Sequence, residues 1–165
     1  MHNLKMPSIP TKQLNTFTSI KTLSDSMITG FSILNVEGKI DSQEVLAKQR
    51  FPKLNINFEK VTVDGGTKLN ISYTFVAEYY DSEAKDAKNI GKLRLAGTVE
   101  VTDSKDKITE SMKKWTDSKL LPMQLSEEVI NGISFRCGAT GTLVAYSLGL
   151  IPPLMISSTK LVEEK

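Results

Sequence analysis

The sequence predicts an α+β fold, an antiparallel sheet of four or slightly more strands with a long C-terminal helix over one face. Two patterns predict it. Between Gly30 and Val101 apolar and polar residues alternate in successive runs, as they do in strands with one buried face. Near the end, the 23-residue run Cys137–Thr159 carries no charge and follows an amphipathic start at Ser126–Arg136. A one-sided sheet and an apolar helix each need a cover, and each supplies the other's.

The chain has 165 residues, enough for one domain with a real core. Residues 1–25 are polar, broken by Pro7 and Pro10, and read as a flexible arm. Residues 26–165 then form a single domain. There is no internal repeat and no low-complexity segment.

The strands follow in order. Phe31, Ile33 and Val36 suggest a first strand ending at Gly38. Asp41 is placed to cap a short helix through Ser42–Lys48, which Pro52 stops. Leu54, Ile56 and Phe58 alternate with polar residues, while Val61 and Val63 fall on the opposite parity. A bulge near Glu59-Lys60 restores them to the apolar face. Asp64-Gly65-Gly66 signals a hairpin, because glycine tolerates the positive φ angles of tight turns. The return strand is the clearest, with Leu69, Ile71, Tyr73, Phe75, Ala77 and Tyr79 on one parity. After the charged loop Asp81–Asn89, Leu93, Leu95, Val99 and Val101 point inward, with Lys92, Arg94, Thr98 and Glu100 outward. Gly97 interrupts that inward row and marks a bend or a close contact.

Asp103 or Ser104 is placed to cap a helix over Lys105–Lys119, with Ile108, Met112 and Trp115 on one stripe. Pro122 closes this unit. Ser126, with Glu127 and Glu128 in the first turn, reads as the N-cap of the last helix, Ser126 to Leu150. Its Ser134, Gly138, Gly141 and Ala145 are small enough for another backbone to approach. Beyond Arg136 the helix is apolar nearly all round, so its outer side needs a second cover, most simply a second subunit. Leu154 to Val162 reads as a final strand.

Several functions find no support. Lys plus Arg number 21 and Asp plus Glu 19, a net charge of +2 that gives no field for nucleic acid. The basic residues of the Lys105–Lys119 helix alternate with Asp106, Glu110 and Asp117, as on a solvated face. The one histidine, His2, lies in the polar arm, so a histidine triad and a two-histidine metal site find no support. No phosphate loop occurs, since Gly65-Gly66 is a turn and Gly138–Gly141 lies in a helix. No enzyme, metal or cofactor is expected. The single cysteine, Cys137, sits in the apolar run and reads as an inert packed thiol, which suits the cytoplasm. A membrane span is not expected, because after Arg136 only about 14 uncharged residues remain before the prolines, against about 20 needed.

Two stretches resemble the SecB family of export chaperones. The first is Phe31–Glu44, FSILNVEGKIDSQE, where Phe31, Ile33, Val36, Lys39, Ile40 and Glu44 keep the family's rhythm. The second is the C-terminal helix with Arg136-Cys137, leading through Leu148-Gly149-Leu150 to Pro152-Pro153-Leu154-Met155-Ile156. The resemblance spans about residues 30–160. It implies a SecB-like sheet and helix, assembly into dimers or tetramers, and an apolar groove for unfolded or precursor polypeptide. It implies an ATP-independent holdase, with client-binding residues Val45, Leu46 and Phe51 in the crossover and Tyr146, Leu150, Leu154 and Met155 at the helix end.

The departures are specific. No room remains for the family's second C-terminal helix, and the Lys105–Lys119 segment is extra. Lys92 and Arg94 on the outer face argue against docking the export motor SecA, whose site in the family is acidic. A divergent member fits, archaeal or serving a toxin–antitoxin pair. The alternative is a small-molecule-binding or thioesterase-like protein with a sheet wrapped around the central helix. It would have to use Glu127 or Glu128 at the helix cap.

Overall fold

The computed structural model describes residues 27–41 and 52–154. Four strands, β1 (Met27–Ile40), β2 (Lys53–Asp64), β3 (Lys68–Tyr80) and β4 (Asn89–Thr102), precede two helices, α1 (Lys105–Ser118) and α2 (Met123–Leu148). The strands form one antiparallel sheet in the order β1-β4-β3-β2. α1 packs against β2, and α2 lies over β1, β4 and β3. The fold is α+β, as the alternation predicts, but two helices share the cover. The proposed arm (1–25) and crossover helix (42–48) lie outside the described residues. So does the proposed final strand, except Leu154, which is not in a strand.

The inner face follows the parities of the sequence. Leu69, Ile71, Tyr73, Phe75, Ala77 and Tyr79 of β3 are buried, as are Leu93, Leu95, Val99 and Val101 of β4. Each large apolar side chain so buried contributes about 1.5–3 kcal/mol. Glu59 is the extra residue of a bulge between Phe58 and Lys60, where the parity change demands one. Val61 thereby returns to the core. The hairpin turns through Gly65 and Gly66, both at positive φ.

β1 runs past Gly38 to Ile40 and carries two bulges against β4, at Thr29 and Leu34. The second explains Gly97. A Cβ there would lie 1.9 Å from the Ser32 carbonyl oxygen, which occupies the space of the missing side chain. Tyr73 donates its hydroxyl hydrogen to that oxygen at 3.4 Å and accepts one from the Cys137 thiol at 3.6 Å. Gly97 is therefore a close contact.

The first helix is capped in position as read, the second is not. Ser104 occupies the N-cap of α1 without a side-chain cap bond. Asp103 instead accepts from the Ser104 N–H and pairs with Lys107 at 3.6 Å. α2 begins at Met123 after an N-cap Pro122, three residues before Ser126. Ser126 is inside the helix, its hydroxyl donating to the Leu121 carbonyl at 3.3 Å. The proline fixes the entry into the helix and needs no donor of its own, which displaces serine from the cap.

Replacing Gly97 by alanine is expected to cost about 3 kcal/mol, the upper end of overpacking penalties, because the obstructing atom is backbone. Urea unfolding of Gly97→Ala against the parent checks this.

Candidate functional site

α2 is placed on the sheet by close approaches. Cβ atoms at Gly38 and Gly91 would meet Leu148 Cδ1 at 2.5 Å and Leu150 Cδ2 at 3.4 Å, respectively. Midway along α2 the Arg136 guanidinium lies over the Phe31 ring, 5.8 Å from its centroid, and Phe31 meets Tyr73 at 5.5 Å. The two stretches that carry the family resemblance thus touch at Phe31 and Arg136.

The buried side of α2 includes Val129, Ile133, Cys137, Gly141 and Ala145. Burial raises the Cys137 thiol pKa, opposed by its hydrogen bond to Tyr73, and leaves it protonated. The opposite side exposes three large apolar groups. Phe135 is 77% exposed, Leu143 74% and Tyr146 70%. At i, i+8 and i+11 they share one flank of the helix.

After Gly149, in the left-handed conformation, the chain reverses along α2. The Leu150 N–H bonds back to the Ala145 carbonyl, and the Tyr79 hydroxyl donates to the Ile151 carbonyl at 2.8 Å. Pro153 is buried over Gly141, where a Cβ would lie 2.8 Å from its ring, and its carbonyl is 3.3 Å from the corresponding point at Gly138. The backbone that approaches the small residues of α2 is therefore the chain's own.

The candidate client-binding residues divide accordingly. Tyr146 and Leu154 are exposed, the latter at 58%, and flank this returning segment; Leu150 is in the core. Val45, Leu46, Phe51 and Met155 lie outside the described residues. Phe135 and Leu143 were not singled out from the sequence, although their helical spacing from Tyr146 places all three together.

The outer sheet face is polar and charge-matched. Lys92 pairs with Glu78 at 3.4 Å, and Lys68 with Glu100 at 3.1 Å. Arg94 lies 3.6 Å from Glu59 and 4.0 Å from Glu37. Thr74 also bonds Glu59, and Arg94 reaches Thr74 at 3.3 Å. Hydrogen bonds from Lys68 and Thr29 hold the Glu100 carboxyl below its ordinary range. Each such exposed pair contributes at most about 1 kcal/mol, but together they leave Lys92 and Arg94 neutralised by neighbours. Among the described residues no three His, Cys, Asp or Glu side chains are grouped to hold a metal, and no helix is long and apolar enough to cross a membrane.

No protein-family model matches this chain, and no curated protein matches it in sequence. Among solved structures it is similar to the SecB-like chaperone Rv1957 of Mycobacterium tuberculosis, determined in complex with a ChAD peptide from the Rv1956 HigA1 antitoxin. The TM-score is 0.49 at 7% sequence identity, over 85% of this chain and 92% of that one.

Burial raises the Tyr79 hydroxyl from its ordinary 10.0 to about 12, and pushes Tyr73 higher still, with the Cys137 contact adding to the effect. A folded-state pKa above the unfolded one favours the protonated, folded form. That contribution is complete below pH 10 and is lost as pH rises to about 12. Tyr79→Phe is expected to lower stability by about 1 kcal/mol at neutral pH. It should also flatten the decline between pH 10 and 12, measured by urea unfolding across that window.

Proposed function

We propose that this chain is an ATP-independent holdase that binds unfolded or pre-secretory polypeptides in the cytoplasm and acts as a homo-oligomer. The observation that carries the reading is the outer flank of α2. Phe135, Leu143 and Tyr146 stand exposed on a helix whose other side is fixed to the sheet, with Leu154 exposed on the segment returning beside it. A helix anchored by Gly38 and Phe31 presents these side chains in a rigid array, so little ordering cost falls on the protein when a partner binds. The resemblance of Phe31–Glu44 and of the Arg136 helix to the SecB family supports the same reading.

Binding follows from burial. One large apolar side chain removed from water contributes up to about 1.5–3 kcal/mol. Several such contacts in a row offset the ordering of a flexible client, and several subunits add avidity. No step requires nucleotide. Phe135 and Leu143 serve the contact between copies, while Tyr146 on the helix and Leu154 on the returning segment serve the client.

The test is suppression of aggregation of an unfolded reporter without nucleotide, with solution mass read alongside. Suppression at near-stoichiometric ratio by a dimer or tetramer is expected. Tyr146→Ser with Leu154→Ser should weaken reporter affinity about tenfold, a loss of about 1.4 kcal/mol, at unchanged melting temperature because both side chains are exposed. Phe135→Asp with Leu143→Asp should shift the mass toward monomer. A monomeric parent chain that suppresses nothing contradicts the proposal.

A further inference from the structure

We propose that residues 149–154 are an exchangeable strap, which fills the client site in the resting molecule and leaves it as a client segment binds. The inference rests on the polypeptide-binding reading and adds to it a built-in competitor and a class of client. Tyr79, fully buried, gives its hydroxyl hydrogen to the Ile151 carbonyl at 2.8 Å. Pro153 fills the space left by the absent side chain of Gly141 and passes its carbonyl over Gly138. Pro152 and Pro153 bring no backbone N–H into this apolar strip, and the Leu154 N–H is met within the strap by the Pro152 carbonyl at 2.9 Å. Beyond Ile151 the site thus offers one hydrogen-bond donor, from Tyr79, and an apolar floor at Gly141 to a Pro-Pro stretch that carries acceptors but no N–H, while the Leu150 N–H is met by the Ala145 carbonyl.

An apolar, proline-bearing stretch of an unfolded polypeptide presents the same chemistry. Its carbonyl replaces that of Ile151 at Tyr79, so exchange leaves no buried hydroxyl unpaired. Gly149 supplies the hinge, since its left-handed backbone (φ 71) is where the helix ends and the strap begins. Leu150, in the core, is the last strap residue to leave, while Leu154, at 58% exposure, is the end an incoming chain meets first. Release therefore proceeds from Leu154 back toward Gly149.

The test uses the full chain and a fluorescent peptide, Leu-Ile-Pro-Pro-Leu-Met, that copies residues 150–155. Weak binding to the parent is expected, with affinity raised tenfold or more by Pro153→Ser, which loosens the resident strap. Gly141→Val should abolish binding in both backgrounds, and a peptide with serine for the second proline should not bind. Unchanged or weaker binding by a folded Pro153→Ser chain overturns the proposal. A second measurement needs no variant, namely hydrogen exchange across residues 149–154 of the parent with and without an unfolded reporter. Faster exchange with bound reporter supports the strap. Reporter bound with no change at 149–154 rejects the strap and leaves the holdase reading intact. Peptide binding that responds to Pro153→Ser, with no reporter bound by any form, supports the site and rejects the holdase reading.

Discussion

The inner layer is arranged around one backbone carbonyl, that of Ser32. The bulge at Leu34 turns it into the apolar face of the sheet, over Gly97. A carbonyl there costs free energy unless a donor reaches it, and the donor is the Tyr73 hydroxyl. Tyr73 is itself buried and accepts from Cys137 on α2. One polar chain thus runs from β1 through β3 to the helix, inside a largely hydrocarbon layer. It fixes the strand pair, the depth of the tyrosine and the rotation of α2 together.

The exposed apolar flank of α2 is a consequence of that rotation. With Cys137 facing Tyr73, Ile133, Gly141 and Ala145 must also face the sheet, and Phe135, Leu143 and Tyr146 must face away. Gly38 lets Leu148 settle on the sheet, and Arg136 packs over Phe31 midway along the helix. The small residues on the flank of α2 then accept Pro153, and Tyr79 ties down the carbonyl two residues earlier. The opposite face of the sheet is polar, with Lys68, Lys92 and Arg94 matched to carboxylates across the strands. The molecule has one charge-balanced side and one side on which a helix exposes large apolar groups.

Much of this was legible in the sequence where a period was uninterrupted. The β3 parity from Leu69 to Tyr79 identified the buried face residue by residue, and the phase change after Phe58 required the bulge that Glu59 provides. Reading failed where two local signals competed. Ser126 with two following glutamates resembles a helix cap, yet Pro122 starts the helix earlier and leaves Ser126 in its first turns. Of the candidate client-binding residues, Tyr146 and Leu154 are exposed. Phe135 was passed over because it precedes the uncharged run, and Leu150 looked like part of a surface although it lies in the core.

The sequence by itself determined which elements form and which face of each is apolar, since both follow from spacings of two and 3.6 residues along the chain. Tertiary structure alone decided what covers those faces. The small residues of α2 announced that some backbone would approach, but only the reversal at Gly149 shows that it is the chain's own Pro153. Gly97 announced a bend or a contact, but the Ser32 carbonyl is brought there by a bulge in a strand far away in sequence. Such partners are set by packing between distant segments, and a local pattern carries no record of them.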